Sequence, residues 1–240
     1  MKYLAIGIGY LMRLIYNVIG NYGITIIVLT IIVRACLIPL YAKQQKSMAK
    51  MNEMQPKINE IQQRYANDRE KMNEKMQEVY AESGSSPLSG CLPLAIQFPI
   101  IMGLYSLLRS PLDYMTGEGA ESMVVAVHEG FLWVKDLCQT DPWILPVLAG
   151  LTTFFSFTAQ QSGQENNSAA GAMKAMKYFF PVMIFLMGRT FPAGLALYWT
   201  VGNLVTWVQG KILNKNTQKE KIKAEVKEEV IKNRKEARGK

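Results

Sequence analysis

Residues 23–41 read GITIIVLTIIVRACLIPLY, an apolar run broken by two threonines and one arginine, Arg34. At the centre of a membrane helix an arginine costs roughly 2.5–3.5 kcal/mol on insertion scales. Each Ile, Leu or Val returns about 0.3–0.6 kcal/mol, so the run can enter a bilayer in spite of Arg34. A charge at that depth calls for a partner, a polar cavity or water. Thr30 lies one turn before it and Leu37 and Ile38 one turn after, so no acid faces it at helical spacing. The bland reading is snorkelling, because Ala42 is only about 12 Å along the helix.

The rest of the chain fits a membrane protein. It has 240 residues, 49% of them hydrophobic and 19% charged. The charges gather in residues 43–82 and 211–240, with long uncharged stretches between. Five spans are expected: roughly Asn21–Ala42, Cys91–Leu108, Trp143–Gln160, Lys177–Gly188 and Phe191–Lys211. The third and fourth are short for a bilayer and should begin within their flanks or sit where it is thinned. Residues 43–87 hold eight Lys or Arg, whereas 110–142 hold Lys135 against six acids. The positive-inside rule then places the N-terminus and the 110–142 loop outside, with 43–87 and the tail in the cytoplasm. Leu4, Ile8, Leu11, Ile15 and Val18 recur at helical spacing, so residues 1–20 are expected to form an amphipathic interfacial helix. No cleavage site follows that run, and Arg13 interrupts it.

Residues 43–87 read as a helical hairpin turning at Ala66-Asn67-Asp68, with Asn67 or Asp68 capping the return. Pro56 is expected to kink or interrupt the first arm. One apolar stripe carries Met48, Met51, Ile58, Ile61 and Tyr65; the other carries Met72, Met76, Val79 and Tyr80. Methionine suits surfaces that accept varied apolar partners, though ordinary apolar filling explains it equally simply. Gly84-Ser85-Ser86-Pro87 makes the exit. Residues 211–240 carry eleven basic and five acidic residues, a net +6, including Lys211, Lys215, Lys219, Lys221, Arg234, Lys235 and Arg238. Such a tail suits anionic lipid or the phosphates of RNA.

Signatures of bond-making catalysis are missing. The sequence has no GxxxxGK[ST] loop and no HExxH, and its one histidine, His128, lies in an expected outer loop. Cys36, Cys91 and Cys138 match no metal or CxxC spacing and are read as ordinary thiols. No catalytic residue, metal or cofactor is expected. Uncharged polar residues do recur in the spans: Thr30, Gln97, Thr153, Ser156, Trp199, Thr200 and Asn203. Singly they are helix glue; with an unpaired Arg34 they suggest an aqueous groove.

Several runs carry a family resemblance. Asn21-Tyr22-Gly23, Leu29-Thr30, Arg34 and Leu37-Ile38-Pro39-Leu40 resemble the first span of the YidC-type membrane protein insertases. Pro87-Leu88-Ser89-Gly90-Cys91-Leu92-Pro93 with Gln97-Phe98-Pro99 resembles the second, and Phe191-Pro192-Ala193-Gly194-Leu195-Ala196-Leu197-Tyr198-Trp199 the fifth. The resemblance covers about residues 10–211 and is to the short, Gram-positive-like type. It implies an all-α, five-helix core in a bacterial plasma membrane, N-out and C-in, with a cytoplasmic hairpin and a groove open to cytoplasm and lipid. Arg34 maps onto the groove arginine, and Gln97 and Trp199 onto groove positions. The implied activity moves short hydrophilic client segments across the bilayer. The implied partners are nascent membrane proteins, the ribosome, the Sec translocon and the signal recognition particle pathway. A small-anion transporter or a non-inserting scaffold remains the alternative; no internal repeat favours the former.

Overall fold

A computed structural model describes residues 2–83, 92–114, 120–160 and 170–213. Among these the protein is all-helical, apart from one isolated bridge between Phe131 and Val134. In chain order the helices are α1 (Lys2–Ile19), α2 (Tyr22–Cys36), α3 (Ile38–Arg64), α4 (Arg69–Ser83) and α5 (Leu92–Arg109). Two short helices, α6 (Pro111–Tyr114) and α7 (Ala120–Ala126), precede α8 (Ile144–Gln160) and α9 (Ala170–Gly188). A last helix, α10, covers residues 193–213.

The α1–α2 corner follows from two residues. Gly20 closes α1 at φ +66, with its N–H on the Tyr16 carbonyl at 2.7 Å. Asn21 caps α2, its side chain accepting from the Ile24 N–H at 3.0 Å. α1 packs against α5 and α2. The face it buries is Ala5, Ile8, Gly9 and Met12, while Leu4 and Val18 are exposed. Of the stripe expected from Leu4 to Val18, Ile8 is buried and Leu11 and Ile15 pack against the core, while its two ends are exposed. Gly103 on α5 draws the smaller residues inward, since Ile8 Cδ1 and Ala5 Cα lie 3.1 and 3.7 Å from where a Cβ would stand.

The first expected span is not one helix. α2 and the start of α3 meet at a 55° bend at Leu37. Pro39, at the N-terminus of α3, explains the break: it lacks an N–H for the Ala35 carbonyl and its ring crowds that oxygen. Together Tyr22–Cys36 and Ile38–Ser47 are long and apolar enough to cross a membrane; no single described helix is. Ala95–Arg109, Ile144–Ala159 and Met176–Gly188 form shorter apolar helices. Of the two outcomes expected at Pro56, an interruption is absent, since the residue lies inside α3. The hairpin arm is thus continuous with the apolar helix start at Ile38. Asp68 caps the return, its carboxylate accepting from the Lys71 N–H at 3.1 Å. The fourth expected span starts earlier than its sequence boundary, at Ala170, and the fifth occupies 193–213.

Burial is graded along the bundle. On α2 the buried residues end at Thr30, and on α5 they begin at Ile101. The main core joins Ile8, Met12, Tyr22, Ile26, Leu29, Leu104, Leu107, Met123, Val127, Leu137 and residues 195–198. All of it lies toward the end where α2 and α10 begin and α5 finishes. α8 and α9 pack closely on each other, with Ala149, Phe180 and Ile184 as a smaller core. One end of the bundle is closed and densely packed; the opposite end is looser.

Candidate functional site

Arg34 sits in the last turn of α2, half-buried, just past the point where the packed core stops. Among the described residues it has no ion-pair partner and no hydrogen bond, and its Nε is buried without an acceptor. The phenols of Tyr198 on α10 and Tyr41 on α3 are its electrostatic neighbours. Tyr198 is buried and accepts from Gln97 Nε2 at 2.7 Å. Tyr41 accepts from Gln45 Nε2 at 2.9 Å. Gly202, one turn after Tyr198, leaves the room the guanidinium uses: a Cβ there would stand 2.8 Å from Nη2 and 3.3 Å from Nε. Arginine offers five donors. Among the described residues the groups beside Arg34 are uncharged phenols, so no described residue neutralises its positive charge.

The second group of polar residues forms a closed node one helix away. Thr153 Oγ1 accepts from Trp199 Nε1 at 2.9 Å and from Asn203 Nδ2 at 2.8 Å, and donates to the Ala149 carbonyl at 2.6 Å. Thr153 and Ser156 are buried on α8. Thr30 is buried too, its hydroxyl turned back onto the Ile26 carbonyl at 2.6 Å. α10 therefore carries two polar stripes at i, i+4. Tyr198 and Gly202 face Arg34 and Gln97, while Trp199 and Asn203 face Thr153. The sequence reading singled out the second stripe and overlooked Tyr198, Gly202 and Tyr41; the one-residue offset on a single helix is the signal that pairs them.

The closed end is held by the segment between α7 and α8. Glu129 accepts the Tyr16 hydroxyl with one oxygen and the Tyr22 N–H at 2.8 Å with the other. The hydrogen bond to Glu129, then burial, pushes Tyr16 up to about 12. Phe131 lies flat on Gly23, and its place is fixed by backbone bonds with Val134 at 2.8 and 3.0 Å. Asp141 accepts from Trp133 Nε1 at 2.7 Å and from the N–H groups of Trp143, Ile144 and Leu145 at 3.0–3.1 Å. Burial works to raise this carboxyl, but those four donors outweigh it and hold it below its ordinary value. His128, Asp136 and Cys138 bring one ligand atom each within 4.8 Å of one another. Each already has a protein partner: His128 Nδ1 on Asp136 at 3.0 Å, and Cys138 Sγ donating to the Leu108 carbonyl at 3.1 Å. Burial lifts that thiol to about 11, which opposes the thiolate a metal would need.

In the hairpin, Ile58 is fully enclosed, whereas Met72 and Met76 are half-buried. The side chains of Met48 and Met51 lie outside those described, as do Cys91 and the 84–87 exit. Lys211 is exposed, its ammonium 4.0 Å from the centre of the Trp207 ring. Lys215, Lys219, Lys221, Arg234, Lys235 and Arg238 also fall outside the described residues.

Residues 14–221 match the family model described as 60Kd inner membrane protein. The chain is 36% identical over 203 residues to the membrane protein insertase YidC of Fusobacterium nucleatum, covering 84% of this chain and 90% of that one. It is 38% identical over 223 residues to membrane protein insertase YidC 2 of Listeria innocua, covering 89% and 72%. A crystal structure of active YidC insertase with its first transmembrane domain resolved superposes with a TM-score of 0.62 at 29% identity. That match takes in 86% of this chain and 45% of the solved chain, so the protein spans just under half the length of that neighbour. A sequence matched over most of its length, with the same helical architecture, places the chain in the 60Kd inner membrane protein family, the bacterial inner-membrane proteins that include the YidC insertases.

Proposed function

We propose that this protein inserts client proteins into the bacterial inner membrane by carrying their short hydrophilic segments through a groove around Arg34. The core (21–211) crosses the membrane five times, N-out and C-in, its first crossing bent at Leu37. Residues 1–20 lie at the outer interface, 43–87 form a cytoplasmic hairpin, and 212–240 are a basic cytoplasmic tail. The closed end faces outward and the looser end faces the cytoplasm.

The observation that carries this reading is the unneutralised guanidinium where the packed core gives way. Arg34 is twelve residues into α2 from Tyr22, about 18 Å from the closed end. Water reaching Arg34 from the cytoplasm would shorten the dry path, and each charge otherwise crosses a barrier of several kcal/mol. The positive charge attracts acids in a client's N-terminal tail, and the client's apolar helix then partitions into lipid. No nucleotide is needed, because burial of the apolar helix supplies the driving force. The half-buried Met72 and Met76, with Met48 and Met51, receive apolar client segments first.

The test is reconstitution into liposomes with a single-span client bearing a short acidic tail, scored by protease protection. Wild type protects the tail; Arg34→Glu does not, and Arg34→Lys keeps most of the activity because charge rather than fork geometry matters. The basic tail docks on ribosomal RNA, and Sec translocon and signal recognition particle routes deliver other clients. Deleting 212–240 should abolish ribosome cosedimentation at low salt; unchanged cosedimentation would assign the tail to anionic lipid instead.

A further inference from the structure

We infer that Gly202 is the positioning residue that fixes where the charge of Arg34 stands in the groove. The inference rests on the insertase reading of Arg34. A Cβ built at Gly202 would find Nη2, Nε and Cζ of Arg34 at 2.8, 3.3 and 3.5 Å, and these are its three nearest atoms. The other tightly packed glycines of the bundle differ. Gly194 faces the Ile26 and Leu108 side chains, Gly188 faces Pro146, and Gly150 faces the Pro181 carbonyl and Phe185. Those glycines let helices approach; Gly202 instead makes a notch one methyl deep that holds a cation.

Glycine in a helix interior is less stable than alanine, so the notch has a cost that needs a return. The return is position. Among the described residues no hydrogen bond reaches the guanidinium, and the phenols beside it, Tyr198 and Tyr41, are uncharged. Its place therefore depends on shape. The Tyr198 phenol is tied by Gln97, which fixes one side of the seat. Gly202 opens the floor, one turn along the same face of α10. The crowded atoms are the far end of a flexible side chain, so an added methyl moves the charge rather than unfolding the protein.

The size of the effect follows from distance. At an effective dielectric of about 20, moving a client acid from about 4 to about 5 Å from the charge weakens attraction about fourfold, and to about 6 Å about tenfold. Gly202→Ala and Gly202→Val stand for those two displacements.

The experiment uses the full chain in liposomes with two clients that differ only in their tails, one acidic and one neutral. Gly202→Ala should lower insertion of the acidic client about fourfold and Gly202→Val about tenfold, with the neutral client changed less than about twofold. Equal losses for both clients would overturn the inference, because Gly202 would then serve helix packing alone. No loss for either client, while Arg34→Ala cripples the acidic one, would overturn it as well. If Arg34→Ala itself leaves the acidic client unaffected, the charge-attraction reading fails first, and the two failures are told apart by that arm.

Discussion

Gly23→Ala should loosen the closed end of the bundle. The new methyl would stand 2.2, 2.3 and 2.7 Å from Cγ, Cδ2 and Cβ of Phe131, where ordinary contact needs about 3.5 Å. Phe131 cannot turn away, because the close atoms include its own Cβ and its backbone is tied to Val134 in both directions. Relief requires the segment between α7 and α8 to lift by about 1 Å, which also strains the Glu129 bond to the Tyr22 N–H. Overpacking of this kind costs about 1–3 kcal/mol, and weakening a charge-assisted hydrogen bond adds about 1.5 kcal/mol. At about 3 kcal/mol in total, the thermal midpoint of a chain this size should fall about 6–12 °C. Thermal unfolding in detergent reads the shift, and proteolysis of the 127–142 segment in sealed vesicles reads the loosening. Phe131→Gly introduced alongside, which removes the crowding Cβ as well as the ring, should recover part of the loss. An unchanged midpoint in Gly23→Ala, or no recovery in the double variant, refutes the packing argument.

Two further substitutions test the polar ties. Thr153→Val should cost about 2–4 kcal/mol by leaving the Trp199 and Asn203 donors without an acceptor, whereas Thr153→Ser should cost under about 1 kcal/mol; equal thermal midpoints for the two would refute this. Asp141→Ala removes an acceptor used by four donors at the start of α8 and should lower the thermal midpoint by several degrees. Because the folded carboxyl titrates below its ordinary 3.8, its contribution is present above that pH and fades as pH falls below it. The wild-type and Asp141→Ala midpoints should therefore converge in acid.

The apolar helices were legible because Ile, Leu and Val cluster in runs, and the hairpin because Asp68 caps a return after Asn67. The bend at Leu37 was harder to see. The same apolar run continues across it, and only Pro39 marks the break. At Pro56 the helix of the hairpin arm is not interrupted and runs on past the missing N–H. The middle of the α1 face, Ile8, Leu11 and Ile15, was legible from its spacing, but the burial of Ala5 beside it was not, since Gly103 on another helix brings it close. Arg34 was legible as an isolated charge. Its surroundings were not, because Tyr198 and Gly202 come from a helix far away in sequence, and Tyr41, though only seven residues on, lies beyond the bend at Leu37. Thr153, Trp199 and Asn203 were legible as polar residues in apolar spans, but not as one hydrogen-bonded node.

The most direct test of the account is insertion of an acidic-tailed single-span client into liposomes containing only this protein. With wild type, the tail should become protease-protected in the absence of nucleotide. Reversing the charge in Arg34→Glu should lower that protection at least about tenfold, since attraction of about 1.4 kcal/mol or more is lost and replaced by repulsion. Equal protection by wild type and Arg34→Glu would contradict the claim that an unneutralised charge in the groove draws clients through.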